Sequence, residues 1–227
     1  MVKDNLQGVL STMRPGVRLI AVSKTKPVSA IREAYECGQR LFGENKAQEM
    51  REKHEQLPKD IEWHFIGHLQ RNKVKYIAPY VSLIHSIDSL GLLEAVDKEA
   101  SKHGRVIDCL LQFHIATEET KFGMSLEEAE ALLCAPEYAR LEHVRIVGVM
   151  GMATNTGDRD TVRSEFGTLR GYRDRLAERF FAGRPEFKEI SMGMSHDYGI
   201  AMEEGSTYVR VGSSIFGERD YGVPVND

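Results

Sequence analysis

Cysteine is scarce: Cys37, Cys109 and Cys134 are the whole complement, widely spaced and without a C-x-x-C pair. That argues against a disulfide framework or a cysteine-built zinc site and suits a reducing cytoplasm. No run approaches the ~20 apolar residues of a membrane span, and the charged start Met1-Val2-Lys3-Asp4-Asn5 lacks the apolar core of a signal peptide. Neither sign of charge dominates. The 34 acids and 30 bases are mixed along the chain, so no basic stripe is available for nucleic acid. His64 and His68 stand four apart but lack the glutamate of H-E-x-x-H, and G-x-S-x-G is absent, which leaves no sign of a zinc or serine hydrolase. Linkers and low-complexity segments are missing too. The expectation is a cytoplasmic protein with no membrane, nucleic-acid or metal partner, forming one domain over residues 1–227.

What is present is a rhythm. With 41% hydrophobic residues the chain can bury a sizeable core. Strand-length apolar runs occur at 17–23, 40–43, 61–66, 81–85, 106–113, 144–150, 187–191 and 207–211. Helical spacing separates them at 29–35, 46–56, 70–77, 89–102, 126–135, 158–181 and 196–203, with a further short helix at 3–13. Ser89 reads as a helix cap, and Ser125 with Glu128 as a capping box. Eight βα periods in about 210 residues predict a (β/α)₈ TIM barrel; a doubly wound open sheet is the alternative. In a barrel, chemistry belongs at the C-terminal ends of the strands.

One strand end stands out. Ile20, Val22 and Lys24 alternate onto one face, so an amine falls at the edge of a dry interior before Pro27 stops the strand. Burial disfavours the ammonium form, and a partly neutral lysine forms Schiff bases with a substrate carbonyl or with pyridoxal phosphate (PLP). An ordinary solvated lysine is the plain alternative. After the seventh and eighth strands, Ser191-Met192-Gly193-Met194-Ser195 and Gly212-Ser213-Ser214 have the glycines and hydroxyls of phosphate cradles, though also of ordinary turns. Arg210 shares a strand face with Tyr208 and Gly212. It would either keep a pyridine nitrogen unprotonated, a poor electron sink, or pair with an acid such as Glu218. His64 reads as a hydrogen-bonded core residue; His85, His114 and His196 sit where functional contact is conceivable. Met150, Met152, Met192 and Met194 are expected to pack the barrel rim.

Five segments together carry a resemblance that spans nearly the whole chain: Ala21-Val22-Ser23-Lys24-Thr25-Lys26-Pro27, Phe42-Gly43-Glu44-Asn45, Trp63 to Gln70, Ser191 to Asp197, and Val209 to Gly217. By these the chain resembles the pyridoxal phosphate homeostasis proteins, whose barrel is similar to the N-terminal domain of alanine racemase. The resemblance implies PLP held as a Schiff base on Lys24, with Lys26 a second amine nearby. It implies phosphate contacts from Met194, Ser195, Gly212, Ser213 and Ser214, a ring-nitrogen contact from Arg210, and Asn45 near the cofactor. Lys46 departs from the tyrosine usual after F-G-E-N, and Phe113-His114 from a Val-Asn pair. The implied role is to sequester PLP in vitamin B6 homeostasis without robust turnover, with PLP-dependent enzymes as transient recipients. An amino-acid racemase is the alternative, but the second catalytic base there comes from an extra domain and the partner subunit, and without that domain a monomer is expected. A Schiff-base aldolase is the third reading.

Overall fold

The computed structural model describes residues 1–118 and 122–218. Its eight strands are β1 (Arg18–Val22), β2 (Leu41–Glu44), β3 (Glu62–Phe65), β4 (Leu83–Ile87), β5 (Ile107–Phe113), β6 (Val144–Gly151), β7 (Glu189–Ser191) and β8 (Tyr208–Val211). Each is parallel to its sequence neighbour, and β8 closes on β1, so the sheet is a barrel without an edge. That closure excludes the open doubly wound sheet. Each strand coincides with one of the predicted runs to within about two residues, as helix and strand ends usually do.

Between the strands run α2 (Val28–Glu36), α3 (Ala47–Gln56), α4 (Leu90–Ser101), α5 (Leu126–Cys134), α6 (Arg159–Phe180) and α7 (Tyr198–Glu203). The chain begins with α1 (Val2–Ser11), and a single helical turn, α8 (Ser213–Phe216), follows β8. The two-residue period of the strands sorts the core into two parts. Ile20, Leu83, Leu110, Val147, Met150 and Tyr208 fill the barrel interior. Leu19 and Ala21, on the opposite face of β1, join Phe42, Trp63, Phe65, Phe113 and Phe166 between the strands and the helices. Burying side chains of this size stabilises the fold by about 1.5–3 kcal/mol each, which makes this outer layer its main support.

The capping box at α5 forms as read: Ser125 Oγ accepts from the Glu128 amide at 3.2 Å, and the Ser125 amide donates to Glu128 Oε2 at 2.8 Å. Three expectations need correction. Residues 70–77 contain a 3-10 helix, Arg71–Tyr76, in place of an α-helix, with Val74 buried on it and Ile77 buried just after it. Ser89 does occupy the N-cap of α4, but its hydroxyl donates to Asp88 Oδ1 at 3.2 Å and makes no cap bond. Met150 and Met192 are fully buried in the core, and only Met152 and Met194 reach the rim. No described helix is long and apolar enough to cross a membrane.

Candidate functional site

A cavity of about 270 Å³ opens at the C-terminal mouth of the barrel. Seven of the eight residues expected there line it: Lys24 from the β1 end, Asn45 from β2, Met194 and Ser195 after β7, and Arg210, Gly212 and Ser213 from β8 and its loop. Ser214 does not contribute to the lining and faces solvent on α8. Val22, Ile66 and Met152 supply apolar walls, while Lys26, His196 and Gly217 complete the rim. The alternation read from β1 holds: Ile20 lies in the barrel interior, and Val22 and Lys24 reach the cavity above it.

Lys24 sits half-buried in a turn closed by the Lys26 amide on the Ser23 carbonyl, at 3.0 Å. Lys26 is directed away from bond-making: its Nζ donates to the carbonyls of Gly217 (3.0 Å) and Glu218 (2.8 Å), where a cation suits the end of α8.

The loops after β7 and β8 are joined by the Gly212 amide, which donates to Ser195 Oγ at 3.2 Å. Ser195 therefore keeps its hydroxyl proton for another acceptor. A Cβ on Gly212 would lie 3.2 Å from the Val22 carbonyl oxygen, so glycine permits the close approach of β8 to β1 at the cavity floor. Gly193 takes φ +93, the left-handed region in which a side chain is strained, and turns the chain from β7 toward α7. The Met194 amide donates to Asp197 Oδ1 at 2.5 Å, which uses that donor within its own loop.

Arg210 is buried, and its NH1 donates to Ser191 Oγ at 2.6 Å and its NH2 to the Gly151 carbonyl at 3.1 Å. Neither is a carboxylate, contrary to the Glu218 pairing. Burial lowers the guanidinium to about 10, opposed by the charge of Asp197, so it stays cationic at neutral pH. Behind it runs a chain through the barrel: Ser191 Oγ lies 2.9 Å from His85 Nδ1, and His85 Nε2 lies 3.0 Å from His64 Nδ1. Arginine can only donate, so Ser191 Oγ accepts from it, and the hydroxyl is shared in a second hydrogen bond with His85 Nδ1. Both imidazoles are neutral: burial lowers His64 to about 3 and His85 well below its ordinary value, with the nearby Arg18 (for His64) and His64 and Arg210 (for His85) adding to it. His64 is thus the hydrogen-bonded core residue expected, and His85 belongs to the interior and not to the rim. His114, at the end of β5, engages the Glu118 carbonyl at 2.8 Å, and His196 reaches the rim.

The donor set suits a phosphorylated aldehyde of modest size. An amine, two serine hydroxyls, a glycine that allows close backbone approach and a buried guanidinium share one cavity, only slightly smaller than ordinary small-molecule pockets of ~300 Å³ and up. Asn45 Oδ1 is buried with no hydrogen bond among the described residues, and a ligand donor would satisfy it.

Fold and site together define a barrel of the alanine racemase type, and residues 1–220 match the family described as "Alanine racemase, N-terminal domain". Within that class the chain belongs to the pyridoxal phosphate homeostasis proteins: that of Aquifex aeolicus is 43% identical over 206 residues, 90% of this chain and 88% of its own. The Bos taurus protein of the same name is 39% identical over 216 residues, 90% of this chain and 78% of its own. Among solved structures, PipY of Synechococcus elongatus with PLP bound has a TM-score of 0.86 at 36% identity, covering 96% of this chain and 100% of that one. Alanine racemase of Clostridium difficile shares the fold, with a TM-score of 0.77 at 13% identity, and this chain covers 60% of it.

Sequence reading missed the support of the site. Lys53, buried on α3, bonds to the Ser23 carbonyl, Glu44 Oε1 and Glu49 Oε1, each at 2.7 Å. The available signal was Glu44 itself, an acid in an apolar strand that needs a cation. Of the departures from the family pattern, Lys46 caps α3 without a side-chain bond, and Phe113 is buried against Tyr172, their rings 5.3 Å apart.

Proposed function

We propose that this chain binds PLP in the cavity at the barrel mouth and holds it through Lys24, serving vitamin B6 homeostasis by keeping a reactive aldehyde sequestered. Residues 1–227 act as one cofactor-binding unit. The observation that carries the reading is the convergence of the Lys24 amine with the Ser195, Gly212 and Ser213 cradle and Arg210 in one cavity. When bound, the cofactor would offer an aldehyde carbon, and Lys24 would be the amine that holds it as a Schiff base, the aldehyde oxygen being lost as water. Ser195 and Ser213 offer hydroxyl protons to the phosphate. Arg210, a cation at neutral pH, would hold the ring nitrogen with a donor and so would favour its unprotonated form. That arrangement supports carriage over carbanion chemistry. Racemisation needs a second base opposite Lys24, and the other amine that lines the cavity, Lys26, is engaged as a donor to two carbonyls.

The holoprotein works as a monomer and passes PLP to PLP-dependent enzymes in transient encounters. The absorption spectrum after adding PLP tests the core of the reading. Wild type develops a visible band that Lys24→Ala lacks; an unchanged band in the variant removes Lys24 from the role. Racemisation of alanine by the same holoprotein would favour the enzyme reading instead.

A further inference from the structure

The turn that carries Lys24 adopts a conformation its own sequence resists. Thr25 has φ 63, the only non-glycine residue in the left-handed region among those described. A β-branched residue avoids that region, and it persists only where surrounding contacts impose it. Those contacts converge on one buried cation. The Thr25 amide donates to Glu49 Oε1 at 2.6 Å, and the same oxygen accepts from Lys53 Nζ. Lys53 Nζ also donates to the carbonyl of Ser23, the residue before Lys24, and to Glu44 Oε1, which accepts from Ser23 Oγ at 2.6 Å. Both backbone neighbours of Lys24 are therefore tied to a single ammonium that is 5% exposed. An ion cluster with Glu44 0% exposed is costly to desolvate and weak as a source of stability, so a role in fixing geometry is the better account of its presence.

We propose that Lys53 is the positioning residue for Lys24: bridging Glu44 and Glu49, it clamps the Ser23 carbonyl and the Thr25 amide so that the Lys24 side chain leaves the turn toward the cavity. The proposal rests on the PLP reading above. Lys53 touches no ligand itself. Its effect falls on the bond-forming step at Lys24 Nζ and not on the phosphate cradle across the cavity.

Two probes separate those steps: PLP, which can bond to Lys24, and pyridoxine 5'-phosphate, its alcohol analogue, which cannot. Two variants loosen the clamp without leaving a buried lone charge, Lys53→Met combined with Glu44→Gln, and Glu49→Ala at the partly exposed corner. Each slows development of the PLP band by about tenfold to a hundredfold, the scale of a small misplacement of a reacting group. The affinity for pyridoxine 5'-phosphate, read by competition, stays as in wild type. Adding Thr25→Gly, which removes the steric cost of the left-handed turn, recovers about fivefold of the loss. Capture of PLP within twofold of wild type in both variants overturns the proposal. So does a parallel loss of analogue affinity, which would make the cluster a structural support only. Lys24→Ala run alongside tests the underlying reading separately, since a retained band there refutes Lys24 whatever Lys53 does.

Discussion

Replacing Ser191 with alanine removes one hydroxyl from the middle of the barrel, and the geometry says what that costs. The hydroxyl accepts from Arg210 NH1 at 2.6 Å and shares a second hydrogen bond with His85 Nδ1 at 2.9 Å. Ser191 is fully buried, so water does not freely replace it. A buried charged donor and a buried imidazole nitrogen are left unpaired, at about 1–3 kcal/mol each, or about 3 kcal/mol together after partial relaxation. For a chain of this length about 3 kcal/mol lowers Tm by about 6–12 °C. Calorimetry on the apoprotein of wild type, Ser191→Ala, His85→Leu and the double variant measures it. Because the two residues share one bond, the double variant loses at least about 1 kcal/mol less than the sum of the singles. A Tm drop under about 2 °C, or strict additivity, would refute the hydrogen-bonded chain.

Acid should destabilise the protein through the same chain. His64 and His85 are held neutral with lowered pKa values, so the unfolded state binds their protons first and stability falls as pH drops below the unfolded value of ~6.5 toward the folded one. Two such groups lose about 4 kcal/mol between pH 7 and pH 5, and His64→Phe should remove about half of that dependence in urea titrations; an unchanged slope would contradict it. Gly193→Ala would put a Cβ 2.5 Å from Ala201 Cβ at φ +93, so its denaturation midpoint should fall by the equivalent of about 3 kcal/mol, and a wild-type midpoint would mean the turn is not strained. Ser195→Ala should weaken PLP binding by about tenfold or more, while Ser214→Ala, outside the cavity lining, should leave it within about twofold; equal losses in a binding titration would return Ser214 to the cradle.

The barrel was legible because its signals are local. Ile20, Val22 and Lys24 reveal an inward face through a two-residue period, and the Gly/Ser segments at Gly193 and Gly212 mark the two loops where barrels hold anions. The support of the site was not legible because it is made by distant residues. Lys53 lies in the charged helical stretch Ala47–Gln56, where a lysine four residues after Glu49 reads as a solvated pair. Only the folded chain puts Ser23 and Glu44 beneath it. His85 and Ser191 are 106 positions apart, and no spacing rule joins them. Ser213 and Ser214 could not be told apart from the motif: both begin the helical turn α8, and only Ser213 lines the cavity.

The central claim is that one lysine of this chain makes the bond to the cofactor. Reducing the PLP-loaded protein with borohydride and mapping its peptides by mass spectrometry reads that bond directly. A single modified position, Lys24, at near-stoichiometric yield is the expected result. Modification centred on Lys26 or Lys46, or spread over surface lysines with Lys24 untouched, would contradict it.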